Sequence, residues 1–165
     1  MRIPSPEHRT PSFEGGYTFI ELLVVSAIII ILAAAAMPLA KVTATRQREA
    51  ELRRALRDMR TAIDKFKDSA DLGQISPLEI KAGSEGYPED LETLVKGVPA
   101  ANDVTGRKIK FLRRVPIDPM TKSTEWGLRS YQDNPDATSW GGQNVFDVHT
   151  TSGGTALDGT KYKDW

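Results

Sequence analysis

An uncharged stretch of 19 residues, from Leu22 to Ala40, constrains the fold of this chain more than any other feature. Only Ser26 and Pro38 interrupt its aliphatic character. Its length meets the requirement of about 20 apolar residues for a helix that spans a membrane. A cleaved secretory signal has a shorter apolar core and then a small-residue cleavage site, whereas this run continues into charged sequence. The stretch therefore predicts a retained membrane anchor. The alternative, a fully buried core helix, is disfavoured because the remaining chain is too polar to surround it.

Beyond the anchor, apolar residues recur at steps of three and four, which is the spacing of one face of an α-helix. This apolar stripe consists of Leu52, Ala55, Leu56, Met59, Ala62, Ile63 and Phe66. No Gly or Pro lies between Leu39 and Leu72, so the anchor helix can continue directly into the amphipathic one. We expect one helix from about Thr18 to Ser69, whose second half needs a domain to cover its apolar face.

Charge and composition argue against several classes of function. The 22 basic and 22 acidic residues balance, so net charge does not favour nucleic acid as a partner. Arginines cluster between residues 46 and 60, but acidic residues alternate with them and aromatic residues are missing there. This pattern favours a solvated or headgroup-facing surface over a nucleic-acid patch. Cysteine is absent, which removes disulfides and cysteine nucleophiles. We identify no polar cluster suited to catalysis and do not expect an enzyme.

The region after Leu72 has the composition of a small domain with long loops, because Gly and Pro punctuate short segments. A turn at residues 87–88 and the apolar residues from 91 to 95 predict a brief helix. Residues 111–112 and 145–148 are strand candidates bounded by turn signals. The predicted fold class is α+β: a long N-terminal α-helix, transmembrane in its first half and amphipathic in its second, packed on a small antiparallel β-sheet head.

A short motif joins the N-terminal segment to the apolar run. Gly15 and Gly16 precede Tyr17, and a lone carboxylate, Glu21, stands just before the uncharged stretch. The motif resembles the class III signal of type IV pilins and type II secretion pseudopilins, in which a glycine precedes an aromatic–Thr–aliphatic–Ile–Glu run. Pro38 lies where that family has a proline near the end of the apolar stretch. The resemblance implies cleavage between Gly16 and Tyr17 by a prepilin peptidase, followed by N-methylation of Tyr17.

Glu21 is the ionisable residue that accompanies the apolar run, and a carboxylate at membrane depth costs about 2.5–3.5 kcal/mol on insertion scales. The resemblance implies that the N-terminal amine of a neighbouring subunit compensates it, which sets the register of stacked helices. Glu21 and Pro38 are therefore the residues expected to act in assembly. The alternative for Glu21 is that it only favours the positive end of the helix and lies among the headgroups.

The later part of the chain resembles, more loosely, the major pseudopilin of type II secretion. The similar pieces are residues 87–88, 112–119, 126–127 and 145–165. The resemblance implies three parts: a prepilin leader at 1–16, a transmembrane and filament-core helix at 17–41, and a periplasmic head at 42–165 that includes the amphipathic half of the helix.

The implied function is that of a structural subunit of a type II secretion pseudopilus, which helps export folded proteins across the outer membrane. Implied partners are further copies in a helical filament, other pseudopilins, the inner-membrane secretion platform, the prepilin peptidase and the membrane, without nucleic acid. The chain would be a single-pass protein of the bacterial inner membrane. The alternative, a type IV pilin for attachment, twitching or DNA uptake, stays open, although many such pilins close a loop with a disulfide.

Calcium is the cofactor that the resemblance raises, since major pseudopilins bind it in a C-terminal loop. The corresponding stretch, residues 149–158, contains one carboxylate, Asp158, whereas Ca²⁺ takes about six to eight oxygen ligands. Asp147 and Asp158 are the candidate ligands, and loop packing by hydrogen bonds is the favoured alternative. We further expect turn chemistry at residues 116–119, a surface position for His149, and a packing role for Trp165.

Overall fold

The structure, a computed structural model, describes residues 15–101, 103, 105–137 and 139–165, without the side chains of residues 35–39. It belongs to the predicted α+β class, and the chain divides between Val42 and Thr43 into two compact units. The regular elements are α1 (Phe19–Asp71), α2 (Leu91–Lys96), β1 (Val98–Pro99), β2 (Lys108–Ile109), β3 (Gly127–Arg129) and β4 (Asp147–His149), with 3₁₀ helices at Pro77–Glu79 and Tyr162–Asp164.

The first unit contains the start of α1. Thr18 caps the helix: its Oγ1 accepts a hydrogen bond from the Glu21 N–H at 3.3 Å, and its carbonyl accepts one from the Leu22 N–H at 3.2 Å. A threonine followed three residues later by a glutamate is the sequence signature of a capped helix start. The aliphatic side chains between residues 20 and 32 are exposed. Among the described residues, no helix has both the length and the hydropathy of a membrane span.

The second unit begins on the amphipathic half of α1. All seven residues of the apolar stripe are buried, as predicted. The helix ends at Asp71, two residues beyond the expected Ser69. Gly73 terminates it in a left-handed conformation (φ 66°), with its N–H bonded to the Ala70 carbonyl and the Gln74 N–H bonded to the Ser69 carbonyl. These two bonds form a Schellman motif, which satisfies the last carbonyls of the helix.

The brief helix α2 confirms the prediction made from residues 87–95. Asp90 caps it, because its Oδ1 accepts hydrogen bonds from the Thr93 N–H at 2.7 Å and from the Thr93 hydroxyl at 2.8 Å. Gly97 ends it at φ 77°, where a side chain would collide with the Ile109 carbonyl at 2.6 Å. Glycine is therefore required at this corner, which turns the chain directly into β1.

Two separate antiparallel pairs, β1–β2 and β3–β4, replace the single sheet that we expected. In the second pair Gly127, Leu128 and Arg129 lie opposite His149, Val148 and Asp147. The strand predicted at residues 145–148 is shifted to Asp147–His149.

The strand predicted at residues 111–112 was wrong. The N–H groups of Phe111 and Leu112 both donate to the Leu94 carbonyl at 3.0 Å. The carbonyls in the last turn of a helix have no intrahelical partner, and this one is satisfied by chain that would otherwise have paired in a sheet.

One hydrophobic core unites the elements of the second unit. The stripe of α1 packs with residues from α2, both strand pairs, the connecting loops and the C-terminal segment (residues 149–165). These residues are Ile75, Leu91, Leu94, Val98, Trp126, Val145, Val148, Ala156 and Tyr162. Tyr162, the latest of these in the chain, brings the C-terminal segment onto the helix. The amphipathic half of α1 is thus the scaffold on which the head is arranged.

Candidate functional site

The predicted cleavage position lies on exposed, non-helical chain immediately before α1. Residues 15–18 precede the helix and are exposed, and Tyr17 is 76% exposed. Apart from the glycine itself and its two chain neighbours, no described residue lies within 4 Å of the position that a Cβ would take at Gly15 or Gly16. Accessible chain of this kind is what proteolysis requires. The Gly16–Tyr17 bond is therefore accessible, and its cleavage stays a prediction.

Glu21, the predicted assembly residue, occupies the first turn of α1 and is exposed. Its backbone N–H is used by Thr18, but within the described part of the chain its carboxylate accepts no hydrogen bond and joins no ion pair. This carboxylate can meet a cation from another molecule. It also lies at the positive end of the helix, so both sequence interpretations of Glu21 remain predictions. The side chain of Pro38 lies outside the described residues.

Arg60 of α1 joins the start of β4 to Trp165. Its Nε donates to Asp147 Oδ1 at 2.6 Å, and its Nη2 is 3.3 Å from Asp147 Oδ2. The same Nη2 also donates to the main-chain oxygens of Val148 at 3.1 Å and Trp165 at 2.8 Å. A charge-assisted pair of this kind is stronger and more directional than a neutral hydrogen bond. One guanidinium thus fixes two segments of the chain that are distant in sequence.

Glu49 binds the C-terminal segment from the same helix. Its Oε1 accepts hydrogen bonds from the Leu157 N–H at 2.8 Å and from the Tyr162 hydroxyl at 3.0 Å. Burial, followed by the hydrogen bond to Glu49, raises the pKa of Tyr162 above its ordinary value. The tyrosine is therefore a hydroxyl donor at neutral pH.

Arg53 contacts the same segment in two ways. Its Nη2 is 3.5 Å from Asp158 Oδ2, and its guanidinium carbon lies 4.1 Å from the centroid of the Trp165 ring. The Trp165 ring also meets the Tyr162 ring edge to face, with centroids 5.2 Å apart. This arrangement confirms the packing role predicted for Trp165. We refer to Glu49, Arg53 and Arg60 together as the clamp.

Each of the two candidate calcium ligands is paired with an arginine of α1. Asp147 pairs with Arg60 and Asp158 with Arg53, so each carboxylate already has a cation beside it. Asp158 Oδ1 also accepts hydrogen bonds from the Thr160 N–H at 2.9 Å and hydroxyl at 2.6 Å. The hydroxyl bond is the main cause of the lowered pKa of Asp158. Among the described residues, no group of three or more His, Cys, Asp and Glu side chains is arranged to hold a metal.

His149 is half-buried, and its predicted surface position was wrong. Its ring lies against Gly127, opposite it in the β3–β4 pair, so closely that a Cβ at Gly127 would overlap the imidazole. Its Nδ1 is buried and has no hydrogen-bond partner among the described residues. Burial, followed by repulsion from Arg129, lowers the pKa of His149. A glycine in a strand can signal such a close approach, but only once its cross-strand partner is known.

For Asp118 the sequence predicted a turn but not the burial of the side chain. The expected turn is present, since the Lys122 N–H donates to the Asp118 carbonyl at 2.7 Å. The side chain, however, is fully buried: it accepts a hydrogen bond from the Met120 N–H at 2.7 Å and a short one from the Thr150 hydroxyl. Asp118 therefore ties the turn to the start of the C-terminal segment.

Comparison of the chain with models of known protein families, with curated proteins and with solved structures finds no match.

Proposed function

We propose that this chain is a prepilin-type structural subunit of a type II secretion pseudopilus, cleaved after Gly16 and N-methylated on Tyr17. One observation carries the proposal: the motif's glycine–tyrosine bond lies on exposed chain directly before a capped helix whose apolar run starts at Leu22. A peptidase needs the first feature and filament packing needs the second. The accessible bond and the start of the apolar helix occur together within the six residues from Gly16 to Glu21, and this combination favours the proposed function.

Exposure of the first half of α1 supports assembly. Ile29, Ile30 and Ile31 are 59%, 67% and 68% exposed, and their neighbours on every side of the helix are aliphatic as well. Apolar surface of this extent is unfavourable in water and requires lipid or other helices to cover it. In the proposed function the inner membrane covers it first, and neighbouring subunits cover it in the filament.

Cleavage would also create the partner that Glu21 lacks. The new amine on Tyr17 lies four residues before the Glu21 carboxylate, and an amine–carboxylate pair between adjacent subunits would fix their register. Low screening in apolar surroundings strengthens such a pair. The proposed partners are further copies of the chain, other pseudopilins and the secretion platform. The head, from residue 42 onward, would lie in the periplasm.

Coexpression with a prepilin peptidase, followed by mass spectrometry of the membrane-extracted protein, tests the processing. We expect a mature chain that starts at methylated Tyr17. Gly16→Leu should block cleavage, whereas Gly15→Leu serves as the matched control, since both positions have free space around them. An intact leader in the wild type, or equal cleavage of both variants, would contradict the assignment of Gly16.

A gene deletion separates the pseudopilus from the alternative pilus. Loss of the export of folded proteins, restored by the wild-type gene, is the expected result. Loss of surface pili or twitching with export intact would assign the chain to the type IV pilins instead.

A further inference from the structure

The clamp residues share one side of α1. Glu49, Arg53 and Arg60 are separated by four and seven residues, spacings that return to the same side of a helix with 3.6 residues per turn. From this side they contact six residues of β4 and the C-terminal segment: Asp147, Val148, Leu157, Asp158, Tyr162 and Trp165. The C-terminal segment is therefore attached to the helix at several independent points.

We propose that the clamp holds residues 149–165 against α1 in place of a divalent cation, so that the head folds and keeps its stability without calcium. The proposal concerns the head alone and stands whether or not the chain is a pseudopilin. Both candidate calcium ligands, Asp147 and Asp158, already pair with arginines of the clamp.

Charge balance is the first argument for a clamp that replaces the metal. A calcium ion bound to Asp147 or Asp158 would lie beside Arg60 or Arg53, whose charge repels it. Displacing Arg60 from Asp147 would also leave the main-chain oxygens of Val148 and Trp165 without their donor. These hydrogen bonds are partly shielded from water, and a shielded polar group that loses its partner destabilises the fold by more than the bond contributed. Metal binding therefore opposes interactions that are already formed.

Solvent exposure ranks the two ion pairs. The Arg60 and Asp147 side chains are 37% and 30% exposed, whereas those of Arg53 and Asp158 are 57% and 51% exposed. Salt screens the more exposed pair more strongly, and exposed pairs contribute little to stability. Arg60 is thus the main residue of the clamp, and Arg53 contributes a smaller part that depends on ionic strength.

Tryptophan fluorescence of the full chain in detergent measures the head selectively, because Trp126, Trp140 and Trp165 all lie in the second unit. We expect the same Tm in EDTA and in millimolar calcium chloride, and no heat of calcium binding by calorimetry. A Tm that rises by several degrees with calcium, and a rise that Asp158→Asn abolishes, would overturn the proposal.

Arg60→Gln should lower the Tm by a few degrees, with or without calcium, because Asp147 and two main-chain oxygens lose their cation. The matched control is Lys96→Gln, which removes an exposed pair with Glu92 at 2.5 Å and should leave the Tm unchanged. Equal effects of the two variants would refute the clamp.

Arg53→Gln tests the clamp if Arg60→Gln does not fold. It should lower the Tm slightly at low ionic strength, and part of this loss should disappear in high salt, since the Arg53–Asp158 pair is exposed while the contact with the Trp165 ring depends less on salt. A Tm deficit of Arg53→Gln that calcium restores would instead indicate a metal-closed loop.

Discussion

The two halves of helix α1 have the same backbone conformation but different surroundings. In the first half, aliphatic residues occur at nearly every position from 22 to 32, and all of them are exposed. In the second half they occur at steps of three and four, and those seven residues are buried. A helix that is apolar all round needs an environment outside its own chain, whereas a striped helix is covered by its own domain. The hydrophobic pattern, and not the helical backbone, therefore distinguishes the exposed half from the half that serves as a scaffold for the head.

Charged side chains also differ between the two halves of α1, because they are paired within the head in the second half and Glu21 is unpaired in the described first half. The described first half has one carboxylate, Glu21, and it has no partner among the described residues. In the second half, the polar face supplies the clamp, whose members each bind a distant part of the head. Glu21 without a partner among the described residues and paired charges in the second half agree with the same contrast. The second half is covered by its own chain, and the proposed function supplies lipid and neighbouring subunits for the first.

The largest effect that this contrast predicts is on filament assembly. Glu21→Ala should abolish assembly, and the secretion that depends on it, because the register-setting amine of the next subunit loses its partner. Glu21→Gln should be nearly as damaging, since it keeps the shape and removes the charge. Sheared-filament assays and export assays measure both.

Two controls show whether a loss of filaments in the Glu21 variants comes from assembly itself. Membrane insertion and cleavage should be normal in both variants, because the peptidase site and the apolar run are intact. Glu51→Ala removes an exposed carboxylate from the second half of the same helix and should assemble normally. Wild-type filament levels from Glu21→Ala would leave only the interaction with the helix terminus.

Head stability provides the next largest effect. Ile63 is fully buried and Ile30 is 67% exposed, so the same substitution can be made in both halves. Ile63→Ala should destabilise the head by about 2–5 kcal/mol through lost burial and the cavity left behind. Ile30→Ala should leave the tryptophan-detected Tm unchanged. Met59→Ala, at another fully buried position, should behave like Ile63→Ala. Equal Tm values for Ile63→Ala and the wild type would show that the stripe does not carry the core.

Local sequence patterns predicted one part of this structure well. The long helix, the burial of its stripe, and α2 were predicted from apolar periodicity and from the turn at residues 87–88. The structure adds helix caps that are equally local. Thr18 and Asp90 each cap the start of a helix, and Gly73 ends one. Their hydrogen bonds join residues that are at most five positions apart. Helix ends of this kind can be predicted from the sequence, because the hydrogen-bonded partners are neighbours along the chain.

Contacts between distant residues account for what the sequence did not predict. Arg60 and Asp147 are 87 residues apart, and Glu49 and Tyr162 are 113 apart. Without the fold, the clamp residues read as a solvated face, because spacing alone does not say which polar side the C-terminal segment crosses. The misplaced strand at residues 111–112 has the same origin, since its donors are used by α2. The sequence did show that residues 49, 53 and 60 share one side of the helix, and this spacing was the one available sign that they act together.

The smallest predicted effect is a pH dependence confined to the head. Burial, then Arg129, lowers the pKa of His149 below 6.5, so the folded head binds a proton there less readily than the unfolded chain does. Arg60 also disfavours the proton, while Asp147 and Asp164 favour it less strongly than burial opposes it. Stability should therefore fall as the pH drops through about 6.5, where the unfolded histidine starts to charge, and should level off below the lowered pKa.

Melting curves followed by tryptophan fluorescence, from about pH 7.5 to about pH 5, cover this window while the aspartates keep their charge. The expected loss of Tm is smaller than that of Ile63→Ala, because a half-buried histidine is partly solvated. His149→Gln keeps a polar side chain of similar length without the titration, so its Tm should be flat across the window. A wild-type slope that persists in His149→Gln would place the titrating group elsewhere in the head. A Tm that rises as the pH falls would mean that the pairs with Asp147 and Asp164 outweigh burial.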